Sequence, residues 1–255
     1  MIIGVIPARF GSSRLMGKPL AEIGGKPMIQ WTYESACRSK LIDEVIIAVD
    51  DEKLFEKVKE FGARVHMTPN DIATGSDRIA HVAKDLYNAE IIVNIQGDEP
   101  FIPGRMIDEA IEPLLFDPKV QVSTLAKKIE TVEEYKSNSI PKVVFDYNNF
   151  ALYFSRSSIP FVRDAKSNLA KIKQADIYKH IGLYVYRRDA LLDFTNLEKT
   201  DLEEAEKLEQ LRMLEHGYKL KIVITDFESI SVDTPEDLER VRKYYERHIK
   251  DNLFA

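Results

Sequence analysis

The fold is decided by the first twenty residues, in which the apolar run Met1-Ile-Ile-Gly-Val-Ile-Pro-Ala8 leads directly into Arg9-Phe-Gly-Ser-Ser-Arg-Leu-Met-Gly-Lys-Pro-Leu20. The run has the length and the β-branched content of a buried strand. The segment after it contains glycines, serines and three cations, Arg9, Arg14 and Lys18. A buried strand that leads into a flexible basic loop is a common way to hold phosphate groups. The sequence therefore indicates an anion site at one edge of a sheet.

Apolar runs typical of buried strands alternate with helical patterns in the first half of the chain. The predicted strands after the first cover 44–50, 63–68 and 90–96, and the predicted helices cover 28–39, 51–61, 79–86 and 104–116. This alternation favours an α/β fold with a mainly parallel central sheet and helices on both of its faces.

The alternation stops in the second half of the chain. Residues 141–147 and 150–155 flank Asn148-Asn149, a pattern that predicts a β-hairpin. We interpret the hairpin as part of a smaller substrate-binding lobe. The chain is thus expected to form one α/β domain over 1–255, with the smaller lobe inserted at approximately 130–217.

Three more segments have local predictions. Residues 156–178 are polar and are predicted to form an irregular, mobile loop. The amphipathic pattern over 201–215 predicts one continuous helix. Thr234 as N-cap, Pro235 at the first helical position and Asp237 two residues later predict the start of the C-terminal helix.

Composition limits the class of protein. The chain has 255 residues, of which 44% are hydrophobic and 31% charged, and its net charge is −6. This charge argues against non-specific nucleic-acid binding, which requires a basic surface. A single cysteine, Cys37, excludes a disulfide framework within the chain and a multi-cysteine zinc site. No apolar run reaches membrane-spanning length, so we expect a cytoplasmic protein without a membrane partner.

Two adjacent carboxylates follow another buried strand. Asp98 and Glu99 come after the strand predicted over 90–96, and Gly97 separates them from it. Mg²⁺ in proteins is typically held by one or two carboxylates together with phosphate oxygens and water. The pair therefore fits a magnesium position, and an acidic turn ahead of Pro100 is the structural alternative.

The basic loop and these carboxylates are expected to share one edge of the sheet, because ligands of open α/β sheets bind beyond the carboxyl ends of the strands. Cations and carboxylates in one crevice suit a nucleoside triphosphate with Mg²⁺. Lys18 is followed by Pro19, so the P-loop motif is absent, and no Gly-x-Gly-x-x-Gly follows the first strand. Neither a P-loop NTPase nor a dinucleotide enzyme is favoured.

Three further positions have both a structural and a functional interpretation, and a fourth has no structural one. Ser76 and Asp77, in the polar loop 68–78, either cap the following helix or face a nucleotide. His180 is either a ligand or a buried histidine. Asp233 lies just outside the predicted C-terminal helix cap, so capping does not account for it.

Motifs spread over nearly the whole chain resemble those of one enzyme family. They are Ile6-Pro-Ala-Arg9 followed by Gly11-Ser, Arg14-Leu and Gly17-Lys-Pro-Leu20, then Ala48-Val-Asp-Asp-Glu52, Met67-Thr-Pro69, Thr74-Gly-Ser-Asp-Arg78, Asn94-Ile-Gln-Gly-Asp-Glu-Pro100, Tyr153-Phe-Ser-Arg-Ser157, Ile159-Pro160, Lys179-His-Ile-Gly182, Tyr184, Leu208-Glu-Gln-Leu-Arg212 and Val232-Asp-Thr-Pro-Glu-Asp-Leu238. The first motif is similar to that of many nucleotidylyltransferases. The full set resembles the 3-deoxy-manno-octulosonate (Kdo) cytidylyltransferases, or CMP-Kdo synthetases.

The resemblance implies a reaction and its participants. CMP would pass from CTP to Kdo, giving CMP-Kdo and pyrophosphate and activating Kdo for lipopolysaccharide synthesis. The anomeric hydroxyl would attack the α-phosphate directly, so catalysis would be positioning and charge neutralisation with Mg²⁺. The resemblance also implies a homodimer.

Residue roles are implied in the same way. The resemblance assigns catalysis to Arg9, Lys18, Asp98 and Asp233, the last two as metal ligands. It assigns nucleotide binding to Pro7, Ala8, Arg9, Ser12, Ser13, Arg14, Lys18, Ala73, Gly75, Ser76, Arg78, Gln96 and Asp98. It assigns binding of the acid sugar to Gln96, Arg156, His180, Tyr184, Glu209 and Gln210. A planar guanidinium such as that of Arg156 suits a substrate carboxylate.

Two departures from the family pattern leave these implications in place. Met16 stands where the family usually has proline, and Thr74-Gly75-Ser76 exchanges the two hydroxyl residues of the usual Ser-Gly-Thr. The alternative substrates are 8-amino-Kdo or another acid sugar such as a nonulosonate. A nucleotide-binding regulatory protein without turnover is the alternative from another class, and the presence of both Asp98 and Asp233 argues against it.

Overall fold

The computed structural model describes residues 1–11 and 15–250. It divides into two compact units, one formed by Met1–Asp108 with Glu228–Ala255 and the other by Glu109–Phe227. Residues 130–217, the predicted smaller lobe, all belong to the second unit. No helix in the described part of the chain is both long and apolar enough to cross a membrane.

The strands and helices follow one another in a mixed order. The strands are β1 (Ile2–Ala8), β2 (Glu22–Ile23), β3 (Lys26–Pro27), β4 (Glu44–Val49), β5 (Arg64–Met67), β6 (Ile91–Asn94), β7 (Val122–Lys128), β8 (Lys142–Phe145), β9 (Ala151–Ser155), β10 (Tyr178–Arg187) and β11 (Leu220–Ile224). The helices are α1 (Met28–Ala36), α2 (Glu52–Glu60), α3 (Gly75–Lys84), α4 (Gly104–Phe116), α5 (Val132–Lys136), α6 (Asn168–Gln174), α7 (Arg188–Asn196), α8 (Asp201–Glu206), α9 (Gln210–Glu215) and α10 (Pro235–His248).

The first unit is built on a parallel sheet in the order β6-β1-β4-β5. Helices α1, α2 and α3 pack against these strands. The strands are apolar runs with little alternation, as expected where both faces of a parallel sheet are covered. The predicted α/β class with a mainly parallel, helix-flanked sheet is confirmed. Because all four strands run the same way, their carboxyl ends lie along one edge.

A cluster of buried apolar side chains joins α1 to α10 in this unit. It contains Ile23, Met28, Trp31, Val232, Leu238, Val241 and Tyr245, all buried. The Trp31 indole N–H donates a 2.7 Å hydrogen bond to the Ile23 carbonyl. Its ring centroid lies 5.4 Å from those of Phe101 and Tyr245. This packing holds the segment before α10 against α1.

The second unit contains a mixed sheet in which β7 pairs parallel to β11 and antiparallel to β10. Strand β8 pairs antiparallel with β10 and with β9, so the predicted hairpin is confirmed. Asn149, at its turn, has a φ of 58°, a left-handed conformation that asparagine tolerates better than most residues. Between Ile181 and Tyr184 the register of β10 against β7 shifts.

Two predictions in the second unit were wrong. The predicted irregular segment 156–178 contains helix α6, because the Ser167 side chain caps it and Ile172 is buried against Ile129, Tyr135 and Ile177. The predicted single helix over 201–215 is two helices, since Lys207 adopts a φ of 52°. A left-handed residue cannot continue an α-helix.

The predicted start of helix α3, in the first unit, was also wrong. Helix α3 begins at Gly75, four residues before the predicted start at Ile79. The N-cap is Thr74, whose hydroxyl accepts a hydrogen bond from the Asp77 backbone N–H. Ser76 and Asp77 therefore lie in the first turn, and α3 reaches the carboxyl edge of the sheet.

Candidate active site

A cavity of about 520 Å³ opens at the carboxyl edge of the parallel sheet. This volume lies within the range typical of small-molecule sites. Its lining comes from the end of β1, the loops after β1 and β6, the first residues of α1 and α3 and the segment before α10. The lining residues are Pro7, Ala8, Arg9, Gly11, Lys18, Pro19, Met28, Gly75, Gln96, Gly97, Asp98 and Asp233.

Lys18, in the predicted phosphate loop, lies between the carboxylates of Asp98 and Asp233. Its Nζ atom is 2.7 Å from Asp98 Oδ2 and 3.1 Å from Asp233 Oδ1. The Lys18 side chain is only 13% exposed, against 28% for Asp98 and 43% for Asp233. Three predicted catalytic residues that are far apart in the sequence thus meet at one point.

Backbone contacts, not only charge, bring the two aspartates together. The Val232 N–H donates a 2.9 Å hydrogen bond to the Asp98 carbonyl. A second contact joins the same two segments, since Ser229 Oγ donates to Glu99 Oε2 at 3.0 Å. Burial, and next the charge of Asp98, raise the pKa of Glu99 to about 7, while the Ser229 hydrogen bond opposes this rise. The segment before α10 is therefore fixed against the loop after β6.

The predicted C-terminal cap also positions Asp233. Thr234 and Asp237 form the expected capping box, with Pro235 at the first helical position, so this prediction is confirmed. The Asp237 carboxylate accepts from the backbone N–H groups of Asp233 at 3.1 Å and Thr234 at 3.0 Å. Thr234, not Asp233, is the N-cap of α10, so the Asp233 carboxylate lies outside the cap and contacts Lys18 Nζ at 3.1 Å.

Gly97 allows the loop after β6 to approach β1. A Cβ atom at this position would lie 2.8 Å from the Pro7 carbonyl oxygen. That distance is shorter than a side-chain carbon can tolerate beside backbone, so the close approach requires glycine. It brings Gln96 and Asp98 to the same edge as Pro7 and Ala8.

Arg9 and Arg78 connect the basic loop to neighbouring segments. An Arg9 Nη2–H donates to the Ala73 carbonyl, which brings the loop after β1 to the turn before α3. Arg78 is fully buried and does not line the cavity. Its guanidinium bonds Thr68 Oγ1 and lies 3.1 Å from Asp50 Oδ2, and Asp50 Oδ1 accepts from the Phe10 N–H at 3.0 Å.

Three of the remaining predicted nucleotide-site residues lie in the described part of the chain, and three lie outside it. Gly75 lines the cavity, and Ser76 is buried in the first turn of α3. Gln96 lines the cavity and donates to Asn94 Oδ1 at 3.3 Å. Ser12, Ser13 and Arg14 lie outside the described residues.

In the second unit, His180 and Tyr184 belong to a row of aromatic rings along β10. The centroids of His180 and Tyr184 are 5.4 Å apart, and that of Phe154 is 5.0 Å from His180. Burial lowers the pKa of His180 to about 3, so its imidazole is neutral at ordinary pH. Burial, then the charges of Tyr186 and Glu209, raise the pKa of Tyr184.

The Arg156 guanidinium donates hydrogen bonds to three backbone carbonyl oxygens. Nε donates to Glu206 O at 2.7 Å, Nη2 to Lys207 O at 3.2 Å and Nη1 to Asn138 O at 3.1 Å. These contacts hold the turn between α8 and α9. An arginine side chain carries five donors, and these contacts use three of them.

Glu209 and Gln210 follow that turn. A buried ion pair crosses it, with Arg212 Nε and Nη2 donating to Glu203 Oε2 and Oε1 at 2.7 and 2.5 Å. Both partners are 7% exposed. Gln210 is buried, and its Nε2 has no hydrogen-bond partner among the described residues. A buried unpaired amide is costly unless a ligand satisfies it.

The comparisons with known proteins agree with one another. A family model described as cytidylyltransferase matches residues 3–230. A 3-deoxy-manno-octulosonate cytidylyltransferase of Geobacter sulfurreducens is 52% identical over 244 residues, which cover 94% of this chain and 97% of the relative. The chain belongs to the 3-deoxy-manno-octulosonate cytidylyltransferase family. The resemblance drawn from the motifs is confirmed.

Further relatives extend the agreement to structure. A 3-deoxy-manno-octulosonate cytidylyltransferase of Solibacter usitatus is 49% identical and covers 99% of this chain and 97% of its own length. The structure of CMP:2-keto-3-deoxy-manno-octonic acid synthetase complexed with CTP superposes with a TM-score of 0.90 at 40% identity, over 97% of this chain and 99% of that one. A 4-diphosphocytidyl-2C-methyl-D-erythritol synthase of Anaerococcus prevotii shares the fold, with a TM-score of 0.64 at 15% identity over 96% and 98% of the two chains. The chain is a nucleotidyltransferase.

Cytidylyltransferases generally use a divalent metal ion. Within residues 1–11 and 15–250, no group of three or more acidic, histidine or cysteine side chains could hold a metal ion. The Asp98 and Asp233 carboxylates nevertheless share one cation, the Lys18 ammonium. Two carboxylates completed by phosphate oxygens and water are a set that Mg²⁺ accepts. The residues present therefore fit a metal that arrives with a nucleotide.

Sequence reasoning about this family member missed three supporting residues. Asp50 fixes the loop after β1 through Phe10, Thr124 bonds His180, and Glu206 accepts from Ser155 Oγ at 2.6 Å and from the Arg156 N–H at 2.9 Å. The position of Asp50 as the last residue of the strand predicted over 44–50 was a usable signal, because the carboxyl ends of parallel strands share an edge. Thr124 and Glu206 have no such local signal.

Proposed function

We propose that the protein transfers CMP from CTP to Kdo, giving CMP-Kdo and pyrophosphate. The observation that carries this proposal is the cavity in which Lys18 lies between Asp98 and Asp233 at the carboxyl edge of a parallel sheet. The Lys18 ammonium can bind phosphate oxygens, and the two carboxylates can bind a divalent ion. The names of the relatives supply the sugar.

The cavity residues have complementary tasks in this proposal. Arg9 and Lys18 neutralise the triphosphate, and Pro7, Ala8, Ala73, Gly75 and Ser76 hold cytosine and ribose. Ser12, Ser13 and Arg14 complete the phosphate loop. Gln96 contacts the nucleotide and the sugar, and Arg78 acts on the nucleotide through Asp50 and the loop that Asp50 holds.

The chemical step is an attack at phosphorus. The anomeric oxygen of Kdo forms a bond to the α-phosphorus of CTP, the bond from that phosphorus to the β-phosphate bridge breaks, and the hydroxyl proton is lost to solvent. Mg²⁺ is the proposed ion, held by Asp98 and Asp233. When bound, it neutralises phosphate charge and lowers the pKa of a coordinated hydroxyl. Lys18 and Arg9 stabilise the negative charge that collects on the leaving pyrophosphate.

The second unit supplies the proposed sugar contacts. These are Arg156, His180, Tyr184, Glu209 and Gln210. The unpaired Nε2 of Gln210 and the two remaining guanidinium donors of Arg156 suit the hydroxyl and carboxylate oxygens of an acid sugar. The alternative substrate is 8-amino-Kdo or a nonulosonate. Homodimer formation and a cytoplasmic location are further predictions from the sequence.

Pyrophosphate release tests the function. Purified protein is incubated with CTP and Mg²⁺ and with Kdo, 8-amino-Kdo, a nonulosonate or no sugar. We expect release with Kdo only in the presence of the metal, and little without sugar. Release with the amino sugar or the nonulosonate but not with Kdo would contradict the substrate. Equal release after chelation would contradict the metal.

A further inference from the structure

The hydroxyl of Thr124 on β7 meets the imidazole of His180 on β10. Thr124 Oγ1 lies 2.9 Å from His180 Nε2, and Thr124 is fully buried. The same oxygen lies 2.8 Å from the Leu183 carbonyl oxygen and 3.2 Å from that of Ile181. One hydroxyl group therefore faces three polar atoms.

The register shift of β10 creates this arrangement. Ile181 is paired with Leu125 and Tyr184 with Thr124, so two residues of β10 lie between consecutive register pairs with β7. Carbonyl groups in a bulge lose the regular ladder donors. The Thr124 hydroxyl supplies a donor to the Leu183 carbonyl in place of a backbone N–H.

The number of protons available at this contact determines the tautomer of His180. A threonine hydroxyl has one proton and two lone pairs, and a carbonyl oxygen only accepts. The proton of Thr124 goes to the Leu183 carbonyl, the nearer of the two. The contact with Nε2 is then made by an Nε2–H that donates to a lone pair of Oγ1. An unprotonated Nε2 would leave three acceptors around a single proton.

We propose that Thr124 is a positioning residue that holds His180 as the Nε2–H tautomer and so presents Nδ1 as a hydrogen-bond acceptor to a hydroxyl group of the sugar. The proposal rests on the proposed role of His180 in sugar binding. The 2.9 Å contact with Thr124 uses Nε2, which leaves the other ring nitrogen, Nδ1, for the sugar.

The proposal specifies the chemistry of the contact. A neutral imidazole with an unprotonated Nδ1 accepts from a hydroxyl and repels a carboxylate, which only accepts. Burial keeps the imidazole neutral by lowering the pKa of His180 to about 3. The substrate carboxylate must therefore be bound elsewhere, and His180 selects the orientation that turns a hydroxyl toward β10.

The tautomer is measured directly in the full chain without ligand. Long-range ¹⁵N–¹H spectra of imidazole-labelled protein, assigned with His180→Gln, distinguish Nε2–H from Nδ1–H. We expect the proton on Nε2 in the wild type and in Thr124→Ser, which keeps the hydroxyl. In Thr124→Val we expect a mixture of tautomers. A proton on Nδ1 in the wild type overturns the proposal without any variant, so a failure of Thr124→Val to fold leaves it testable.

Kinetics provide the second measurement. Thr124→Val is expected to raise the KM for Kdo by about tenfold, the effect of one lost hydrogen bond, and to leave the KM for CTP unchanged. Thr124→Ser should restore most of the difference. Thr195→Val, which removes a hydroxyl that donates to the Leu192 carbonyl at 3.1 Å, is the matched control and should change neither value. Equal changes in both KM values would indicate a structural effect and overturn the proposal.

The two measurements separate this inference from the proposed function. If no acid sugar supports turnover but the spectra show Nε2–H lost in Thr124→Val, the proposed function fails and the positioning by Thr124 stands. If Kdo is turned over but the tautomer is the same with and without the hydroxyl, the positioning fails and the function stands.

Discussion

The backbone N–H of Val232 donates a hydrogen bond to the carbonyl oxygen of Asp98, with 2.9 Å between nitrogen and oxygen. This single bond joins the loop after β6 to the segment before α10, which is more than 130 residues away in the chain. Asp233, the next residue, is thereby placed where its carboxylate and that of Asp98 reach the same cation. The two side chains meet because backbone holds them there, so removing one charge should leave the geometry in place.

That geometry predicts a separation of binding from turnover. Asp98→Asn and Asp233→Asn should each lower kcat at least about 100-fold, because each removes one of the two charges that we propose hold the metal, while CTP affinity stays within about tenfold. Steady-state pyrophosphate release and calorimetric titration with CTP measure the two quantities. Asp189→Asn, at a side chain that is 91% exposed, is the control. Unchanged turnover in either site variant would remove that carboxylate from the metal site.

Lys18 predicts a dependence of stability on divalent ions. Lys18→Met removes the ammonium that contacts both the Asp98 and the Asp233 carboxylates, and like charges at short range repel. Lys18→Met should lower Tm by several degrees in a chelating buffer, and Mg²⁺ should recover more of Tm in the variant than in the wild type. Thermal unfolding with and without the ion measures this.

The control for this experiment is Lys57→Met, which removes an exposed ion pair with Glu60. Exposed pairs contribute little to stability, so Mg²⁺ should act on this variant as on the wild type. A Lys18→Met protein whose Tm is insensitive to Mg²⁺ would show that the two carboxylates do not take a metal in the absence of nucleotide.

Gly97 predicts a steric effect at the same edge. In Gly97→Ala the new methyl group would meet the Pro7 carbonyl oxygen at 2.8 Å, so backbone must shift. We expect the free energy of unfolding to fall by about 1–3 kcal/mol and CTP binding to weaken. Denaturant unfolding measures the first effect. Gly182→Ala, where a Cβ meets open space, should be much milder, and equal losses would contradict the steric explanation.

The buried Glu203–Arg212 ion pair is expected to show a large coupling free energy in protein stability. Arg212→Met leaves a buried carboxylate without its partner and should lower the free energy of unfolding by about 3–5 kcal/mol. The double variant Glu203→Gln with Arg212→Met should recover part of that loss. The same cycle on the exposed Arg64–Glu44 pair should give a coupling below about 1 kcal/mol. Similar couplings for the two pairs would show that burial does not strengthen the first.

His180 predicts a pH dependence of stability. Burial depresses its pKa in the folded protein to about 3 from 6.5, so the unfolded chain binds more protons between these values. The resulting stability is present above pH 6.5 and is lost as pH falls. Between pH 6.5 and about pH 5 the wild type should lose roughly 1.5 kcal/mol more than His180→Gln. Denaturant unfolding at each pH measures the difference, and parallel curves would contradict a buried neutral imidazole.

Local signals predicted the parts of the fold that local chemistry determines. Helix α4 lies at its predicted residues, and the Thr234–Asp237 box begins α10 as expected. The meeting of Lys18 and Asp98 was also predictable, because the carboxyl ends of parallel strands share an edge.

Other features depend on contacts between distant residues, so no local pattern specifies them. The α8–α9 break is held by Arg156 and by the Glu203–Arg212 pair, neither of which alters helical periodicity. Thr124 reaches His180 only because the β10 register shifts.

The chain has one tryptophan, Trp31, and it is fully buried in the α1–α10 cluster of the first unit. The same cluster contains Val232, next to Asp233, and Met28, which lines the cavity. Tryptophan fluorescence, excited where tyrosine does not absorb, therefore reports on the first unit alone and is sensitive to the packing beside the cavity. Nucleotide binding and unfolding of this unit can be followed optically in the unlabelled protein, while tyrosine absorbance also records the second unit.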